Sequence, residues 1–268
     1  MLHKLQDKIE IELPPAYKDM PNAYNTEWNE KNGQAYEMKN FIELSANRKT
    51  LFDVGGNVGF FSYVFVCNEN KDNTKESFLF EPSPFGMEIC VNVLNHNKWH
   101  DRIKLFPYFV GADCGEVEFL LEADAGTFLV MFDNIEYDHM IVNKETHKPQ
   151  TKEVLSIDRF VEKYAEEMGK PTTLDAIKID VEGYEFKVLT GANKTLTEIK
   201  PLIFLEVHGH LIGTYNDSVV DVYTMMKGLD YQMFDLHMNE ITTRKQYETL
   251  FDGILEIRVV CKHIEDKF

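Results

Sequence analysis

Two short runs concentrate the side chains able to do chemistry. Asp180, Glu182 and Glu185 follow the apolar run from Ala176, which places three carboxylates within six residues of a predicted strand end. Crowding such charges is unfavourable unless a proton, a metal ion or another cation is shared among them. The second run, Leu202 to Val207 followed by His208-Gly209-His210, sets Glu206, His208 and His210 at alternating positions. A period of two puts them on one side of an extended segment, and a parallel neighbour brings that side beside Asp180 and Glu182. The catalytic set expected here is Asp180, Glu182 and His208, with His208 or Glu182 able to accept a proton. Asp180, Glu206 and His208 also offer the oxygen and nitrogen ligands that suit Mg2+ or Mn2+. Glu185 falls in the first turn of the next helix, where a favourable interaction with the helix dipole is a sufficient explanation.

A third segment, Leu51-Phe52-Asp53-Val54-Gly55-Gly56-Asn57-Val58-Gly59, runs an apolar strand into a glycine turn that opens a helix. Glycines remove Cβ atoms where a backbone approaches a ligand, and the helix N-terminus offers N–H groups. The turn therefore belongs to a nucleotide-type cofactor: Asp53, Gly55, Gly56, Asn57 and Gly59 are expected to line it. A dinucleotide would use the same strand–turn–helix, but the third glycine of its GxGxxG pattern is out of register here. Asp53 would also repel a pyrophosphate, whereas it suits the cationic methionine end of S-adenosyl-L-methionine. The same carboxylate could instead cap local N–H groups. Glu81 ends the next strand 22 residues past Gly59, where an acid can take both ribose hydroxyls; Pro82 stiffens its exit. Ala112 and Asp113, after the third strand, stand where an adenine ring would lie, although a plain turn explains those letters equally well. Asp180 completes the cofactor-binding set.

The elements that must position these residues are short apolar runs alternating with amphipathic segments of about ten to fifteen residues, the signature of βαβ units. Strands are expected at Leu51–Val54, Ser77–Glu81, Ile103–Val110, Ala176–Asp180, Leu202–Val207, Tyr231–Leu236 and Ile254–Cys261. Helices are expected near Phe60–Asn68, Pro84–Asn97, Ser156–Met168, Tyr184–Glu198 and Ser218–Gly228. The whole reads as an α/β, Rossmann-like fold: a seven-stranded, mostly parallel sheet with helices on both faces. Residues 1–48 read as an N-terminal cap with a helix at Gly33–Ala46, and 49–268 as the main domain. Glu116 to Val154 breaks the alternation and is either a substrate-facing loop or a surface hairpin.

Composition narrows the partners. With 45 acidic against 28 basic residues the formal charge is −17 and the pI near 4.9, so a phosphate-binding face would have to form against the overall field and nucleic acid is not expected. The start carries charges where a signal peptide needs an apolar run, and no stretch reaches the roughly 18 apolar residues of a membrane span. The expectation is a cytoplasmic protein without a membrane partner. Cys67, Cys90, Cys114 and Cys261 stand singly and are expected to be reduced thiols.

These pieces resemble the FkbM family of methyltransferases. The matching stretches are FDVGGNVGFFS, FEPSP, LSIDRF, IKIDVEGYEFKVLTGA and PLIFLEVHG, in family order from about Thr50 to Gly209. Gly56 departs mildly, alanine being commoner there. The resemblance implies a class I methyltransferase domain that uses S-adenosyl-L-methionine to methylate a hydroxyl of a sugar, a glycan or another small molecule. By position it assigns Asp53, Gly55 and Asn57 to the methionine-end turn, Glu81 to the ribose, and Asp180 with Glu182 to the family's acidic tip. The rivals are an NAD-dependent oxidoreductase on the same fold and a cofactor-binding module without chemistry.

Overall fold

The computed structural model describes residues 1–25, 33–68, 74–121, 128–130, 149–169 and 173–266. The chain opens with a hairpin, β1 (Leu2–Leu5) and β2 (Ile9–Glu12), then the short α1 (Asn22–Asn25) and α2 (Gln34–Ser45). The alternation begins with β3 (Thr50–Val54), α3 (Phe60–Cys67), β4 (Glu76–Phe80), α4 (Pro84–Asn97) and β5 (Ile103–Phe106). It is interrupted by β6 (Phe109–Val110), β7 (Gly115–Leu121), β8 (Phe128–Val130) and β9 (Pro149–Leu155), and resumes with α5 (Ile157–Met168) and β10 (Ala176–Ile179). Helices α6 (Glu185–Thr190) and α7 (Asn193–Glu198) lead to β11 (Leu202–His208). The last elements are α8 (Val219–Gly228), β12 (Tyr231–Phe234), β13 (Glu240–Ile241), α9 (Arg244–Thr249) and β14 (Glu256–His263).

The main sheet has the order β13-β12-β14-β11-β10-β3-β4-β5. Strands β5, β4, β3, β10 and β11 are parallel, and β14 runs antiparallel between β11 and β12. This is the expected α/β, Rossmann-like, mostly parallel sheet with helices on both faces, with eight strands rather than seven because the two-residue β13 adds to one edge. Connections leave β3 toward β4 on one side and enter β10 on the other, so the order reverses between β3 and β10. A crevice forms at the carboxyl ends of strands where such a reversal occurs.

Alternation along each strand sorts side chains into two cores. Phe52, Val54, Ile177, Ile179, Leu205 and Val207 face one; Leu51, Ala176, Phe204 and Val260 face the other, with Phe41 of α2, Phe61 and Phe65 of α3, and Ile9 and Ile11 of the hairpin. The N-terminal residues thus bury their apolar side chains in the same core as the sheet. On this second face, buried charged residues stand among the apolar ones: Asp53, Lys178, Glu206 and Arg258.

Three departures from the expected elements have local causes. The strand expected over Ile103–Val110 is two strands, because Pro107 has no N–H to donate to a ladder; β6 pairs with β9 in a separate four-stranded sheet. The helix expected over Tyr184–Glu198 breaks at Gly191, whose absent side chain would lie 2.0 Å from the Gly111 carbonyl oxygen. The polar stretch between the last two long strands holds β13 and α9. The excursion from Glu116 builds β7, β8 and β9; residues 122–127 and 131–148 of the suspected loop lie outside the described residues.

Candidate active site

The glycine turn sits at the end of β3, and its shape is dictated by protein atoms. Gly55 (φ +73°) has no room for a side chain because a Cβ would lie 1.9 Å from the carbonyl oxygen of Asp180. Gly59 (φ +80°) is closed off by Tyr63 and Leu79, and Gly56 by Leu79. The glycines are therefore required by packing, not only by ligand approach as the sequence suggests. Most of the turn's donors are also used internally: Gly55 N and Gly56 N donate to the Phe80 carbonyl, Gly59 N to that of Gly56, and Asn57 N to Glu81 Oε2 at 2.7 Å. Asn57 itself is exposed, with φ 48°.

Asp53 corrects one expectation. It is 1 % exposed, and its Oδ2 accepts from Ser62 N (3.0 Å) and Ser62 Oγ (2.6 Å), capping the first turn of α3 from beneath. Direct contact with a ligand is not its position; it is the cap that was the alternative reading. Burial pushes its carboxyl up to about 6. Its charge, with that of Glu81, makes the mouth of α3 unfavourable for a pyrophosphate. Glu81 is held by two backbone donors, Asn57 N and Ser83 N, both at 2.7 Å. Burial raises its carboxyl to about 7 against those hydrogen bonds.

Beside the turn, across the β3–β10 reversal, stands the acidic tip. Glu182 occupies the left-handed region at φ 51°, followed by Gly183 at φ 96°. A non-glycine residue in this conformation is uncommon and marks a segment held by its surroundings. Glu182 is the most exposed carboxylate of the group, with half of its side chain accessible against 35 % for Asp180. His208 is 2 % exposed and lies behind them. Its Nε2 is 3.4 Å from Glu182 Oε2, 3.9 Å from Asp180 Oδ1, 3.8 Å from Glu256 Oε2 and 4.0 Å from Glu206 Oε1. Burial opposes the imidazolium, but the Glu185 hydrogen bond and the surrounding carboxylates outweigh it and raise His208 to about 9.

Glu185 corrects a second expectation. It does stand in the first turn of α6, but the helix dipole is not its whole role: it is fully buried, and its Oε1 sits 2.7 Å from His208 Nδ1 while accepting from Gly183 N at 2.9 Å. Four further residues, Glu37, Lys178, Glu256 and Arg258, escaped sequence reasoning. Lys178 is 1 % exposed, with Nζ 3.1 Å from Glu37 and 3.6 Å from both Asp180 and Glu206. Arg258 donates through Nε to Glu37 Oε2 at 3.0 Å and through Nη2 to Glu206 Oε1 at 2.5 Å. Burial would lower both cations, and the carboxylates around them raise them above their ordinary values instead. The signal was present: a lone lysine in AIKI and a lone arginine in EIRVV interrupt otherwise apolar central strands.

The cations are all buried and the accessible groups, Asp180, Glu182 and Glu256, are all acidic. Burial drives the Asp180 carboxyl up, but Lys178, His208 and Arg258 bring it below its usual value; Glu206 goes well up, through burial and the Asp180 charge. As a metal set, Asp180, Glu182 and His208 converge to within 4.8 Å, as do Glu206, His208 and Glu256. Glu206 in the expected set is engaged by Arg258 and Lys178. Of the remaining expected residues, Pro82 is buried behind Glu81. Gly111 packs against Tyr184, and Asp113 is exposed on that flank; among the described residues no hydrogen bond or ion pair joins Asp113 to the glycine turn. His210 turns away to the Leu255 carbonyl at 3.1 Å.

The profile of the methyltransferase FkbM domain matches residues 53–233, which include the turn, Glu81, the acidic tip and His208. The chain belongs to the FkbM methyltransferase family. Glu37, Glu256 and Arg258 lie outside the matched residues. A curated relative is the hexuronic acid methyltransferase AglP of Haloferax volcanii, 23 % identical over 176 residues, which are 66 % of this chain and 63 % of that one. Among solved structures, the FkbM methyltransferase of Methylobacillus flagellatus KT has a TM-score of 0.48 at 15 % identity, with 92 % of this chain and 59 % of that one covered. The StiE O-MT has a TM-score of 0.45 at 11 % identity, covering 98 % and 86 %. The chain thus spans less than two thirds of the length of AglP and of the Methylobacillus protein. No helix among the described residues is long and apolar enough to cross a membrane.

Proposed function

We propose that this chain transfers a methyl group from S-adenosyl-L-methionine to a hydroxyl of a sugar, a glycan or another small molecule, with Glu182 as the proton acceptor. The observation that supports the reading is the close backbone approach of Gly55 to Asp180, with the glycine turn and the acidic tip side by side at the sheet's reversal. Residues 49–268 form the methyltransferase domain in this reading, and residues 1–48 an extension that lends Glu37 to the site.

When bound, the donor supplies a methyl carbon already activated by its sulfonium. The protein's part is to align an acceptor and to remove its proton. Glu81 is the acid this reading assigns to the ribose. It is 3 % exposed and each of its oxygens already accepts one backbone N–H, so the hydroxyls would have to use the remaining lone pairs. The turn around Asn57 and the exposed edge of Asp180 offer an acidic face to a cationic methionine end. Glu182 stands at the front of the tip, where burial and neighbouring carboxylates raise its affinity for a proton. His208, behind it and nearly inaccessible, is not placed to touch an acceptor; it holds Glu182 and Asp180 by charge.

A dinucleotide finds little support here, because the donors of Gly55, Gly56, Asn57 and Gly59 are already used and two carboxylates flank the turn. The test is thermal stabilisation of the purified protein by S-adenosylhomocysteine and by NAD in parallel. The first should raise Tm and the second should not; the reverse result removes the methyl-transfer reading. Methyl transfer to a panel of neutral and acidic glycosides then tests the acceptor class. Binding of S-adenosylhomocysteine without turnover on any hydroxyl compound would leave a cofactor-binding module.

A further inference from the structure

We propose that Glu185 is a positioning residue of this site, one whose single oxygen fixes both the strained turn carrying Glu182 and the imidazole that stands against the Glu182 carboxylate. The inference rests on the reading of Glu182 as the proton acceptor and deepens it.

The geometry converges on one atom. Oε1 of Glu185 accepts from Gly183 N at 2.9 Å and lies 2.7 Å from His208 Nδ1. Gly183 follows Glu182, and both residues sit in the left-handed region; a side chain on Gly183 would run into Leu211, 2.7 Å away. Such a turn persists only where its surroundings over-determine it, and the Glu185 bond to Gly183 N is one of those determinants. The same oxygen fixes the His208 ring through Nδ1, so that Nε2 faces Glu182 and Asp180. A carboxylate, an imidazole and a second carboxylate therefore run in line from the core to the surface.

The ion pair with His208 and the first turn of α6 both accommodate a carboxylate here, but neither requires one oxygen to serve two N–H groups. Glu185 is fully buried, and its Oε2 makes no hydrogen bond. A glutamine keeps an oxygen for both N–H groups and removes only the negative charge that faces His208. What the charge does supply is an anion behind His208, opposing the four carboxylates in front of it, Asp180, Glu182, Glu206 and Glu256, for the imidazole N–H groups. Arg258 and Lys178 stand beside three of those carboxylates, Asp180, Glu206 and Glu256, and their ion pairs do not involve His208's inner nitrogen.

The experiment compares Glu185→Gln with the wild-type chain. Three quantities are read: Tm with S-adenosylhomocysteine affinity, the nitrogen-edited NMR signal of the His208 Nδ1 proton, and release of S-adenosylhomocysteine with methyl glycosides as probe acceptors. The His208 signal is identified by its loss in His208→Asn. Glu185→Gln should stay folded with a lowered Tm, bind S-adenosylhomocysteine within about twofold, move the His208 signal upfield, and lower kcat by about 10²-fold, the scale expected for a misplaced catalytic group. An unmoved His208 signal, or wild-type kcat, overturns the proposal. If no glycoside is turned over by the wild-type chain, the methyl-acceptor reading fails while the NMR signal still decides the role of Glu185. Should Glu185→Gln not fold, His208→Asn is read in the same assays, and wild-type kcat in that variant overturns the proposal equally.

Discussion

Gly55 and Asp180 meet backbone to backbone: a β-carbon on residue 55 would stand 1.9 Å from the Asp180 carbonyl oxygen. That contact locks the turn after β3 to the tip after β10, and it makes Gly55→Ala a sharp test. The left-handed conformation costs a side chain about 1–2 kcal/mol and overpacking a further 1–3 kcal/mol or so. Urea unfolding should show a loss of about 2–5 kcal/mol, with weakened S-adenosylhomocysteine binding. Gly213→Ala, where no atom lies within 4 Å of the added carbon, should be within about 0.5 kcal/mol of wild type. Equal behaviour of the two variants would show that the contact does not matter.

Glu182→Gln tests the proton acceptor. The side chain is half-exposed and its nearest cation is His208 at 3.4 Å, so removing its charge should leave the fold and S-adenosylhomocysteine affinity nearly unchanged. Turnover should fall by about 10²–10⁴-fold. Single-turnover kinetics at saturating donor would reveal this directly, and an unchanged rate would transfer the role to another group.

Glu81 gives a pH prediction with a definite sign. Burial raises its carboxyl from 4.5 to about 7, so between those values the folded chain binds more protons than the unfolded one, and stability declines as pH rises through that window. Above about 7 the contribution is flat. The decline attributable to Glu81 is at most about 3 kcal/mol, and Glu81→Gln should remove it while leaving the smaller decline from Asp53, whose carboxyl rises from 3.8 to about 6. Affinity for S-adenosylhomocysteine should move the other way, improving as the carboxylate ionises and can accept the ribose hydroxyls. Calorimetric titrations and urea unfolding from about pH 4.5 to 7.5, spanning the window, would check both; a pH-independent affinity would remove Glu81 from the ribose site.

Lys178 and Glu37 form a buried pair between the sheet and α2. Lys178→Met removes the cation that Glu37, Asp180 and Glu206 share, and breaking such a network from one side costs about 3–5 kcal/mol. The double variant with Glu37→Gln should recover part of that loss, a coupling of about 0.5–3 kcal/mol in a double-mutant cycle of chemical unfolding. Strict additivity would mean that the two residues do not depend on one another.

Much of the molecule is legible along the chain. The order of strands and helices, the glycine turn, the strand-end acids Glu81 and Asp180, and the approach of Glu206 and His208 to Asp180 and Glu182 follow from local periodicities and strand ends. Neighbouring parallel strands start at similar levels, so residues that end them fall at one edge. Ser83, Ser156 and Ser218 cap α4, α5 and α8, a purely local signal that fixes those helix starts within a residue.

Sequence alone could not settle which carboxylate faces outward. Asp53 reads as a ligand residue or a cap and is the buried cap, while Glu185 reads as a helix-start acid and is also the buried partner of His208. Both outcomes depend on which way a side chain points once two strands and a helix have packed, a property of the pair and not of either segment. The same holds for Glu37 and Arg258, brought to Lys178 from positions 141 residues before and 80 residues after it in the chain. A buried charge is tolerable only beside its counter-charge, and only the tertiary structure decides who that partner is. The sequence by itself determined the strands that end at the site; long-range packing decided that the cations lie inside, the accessible acids outside, and Glu182 foremost among them.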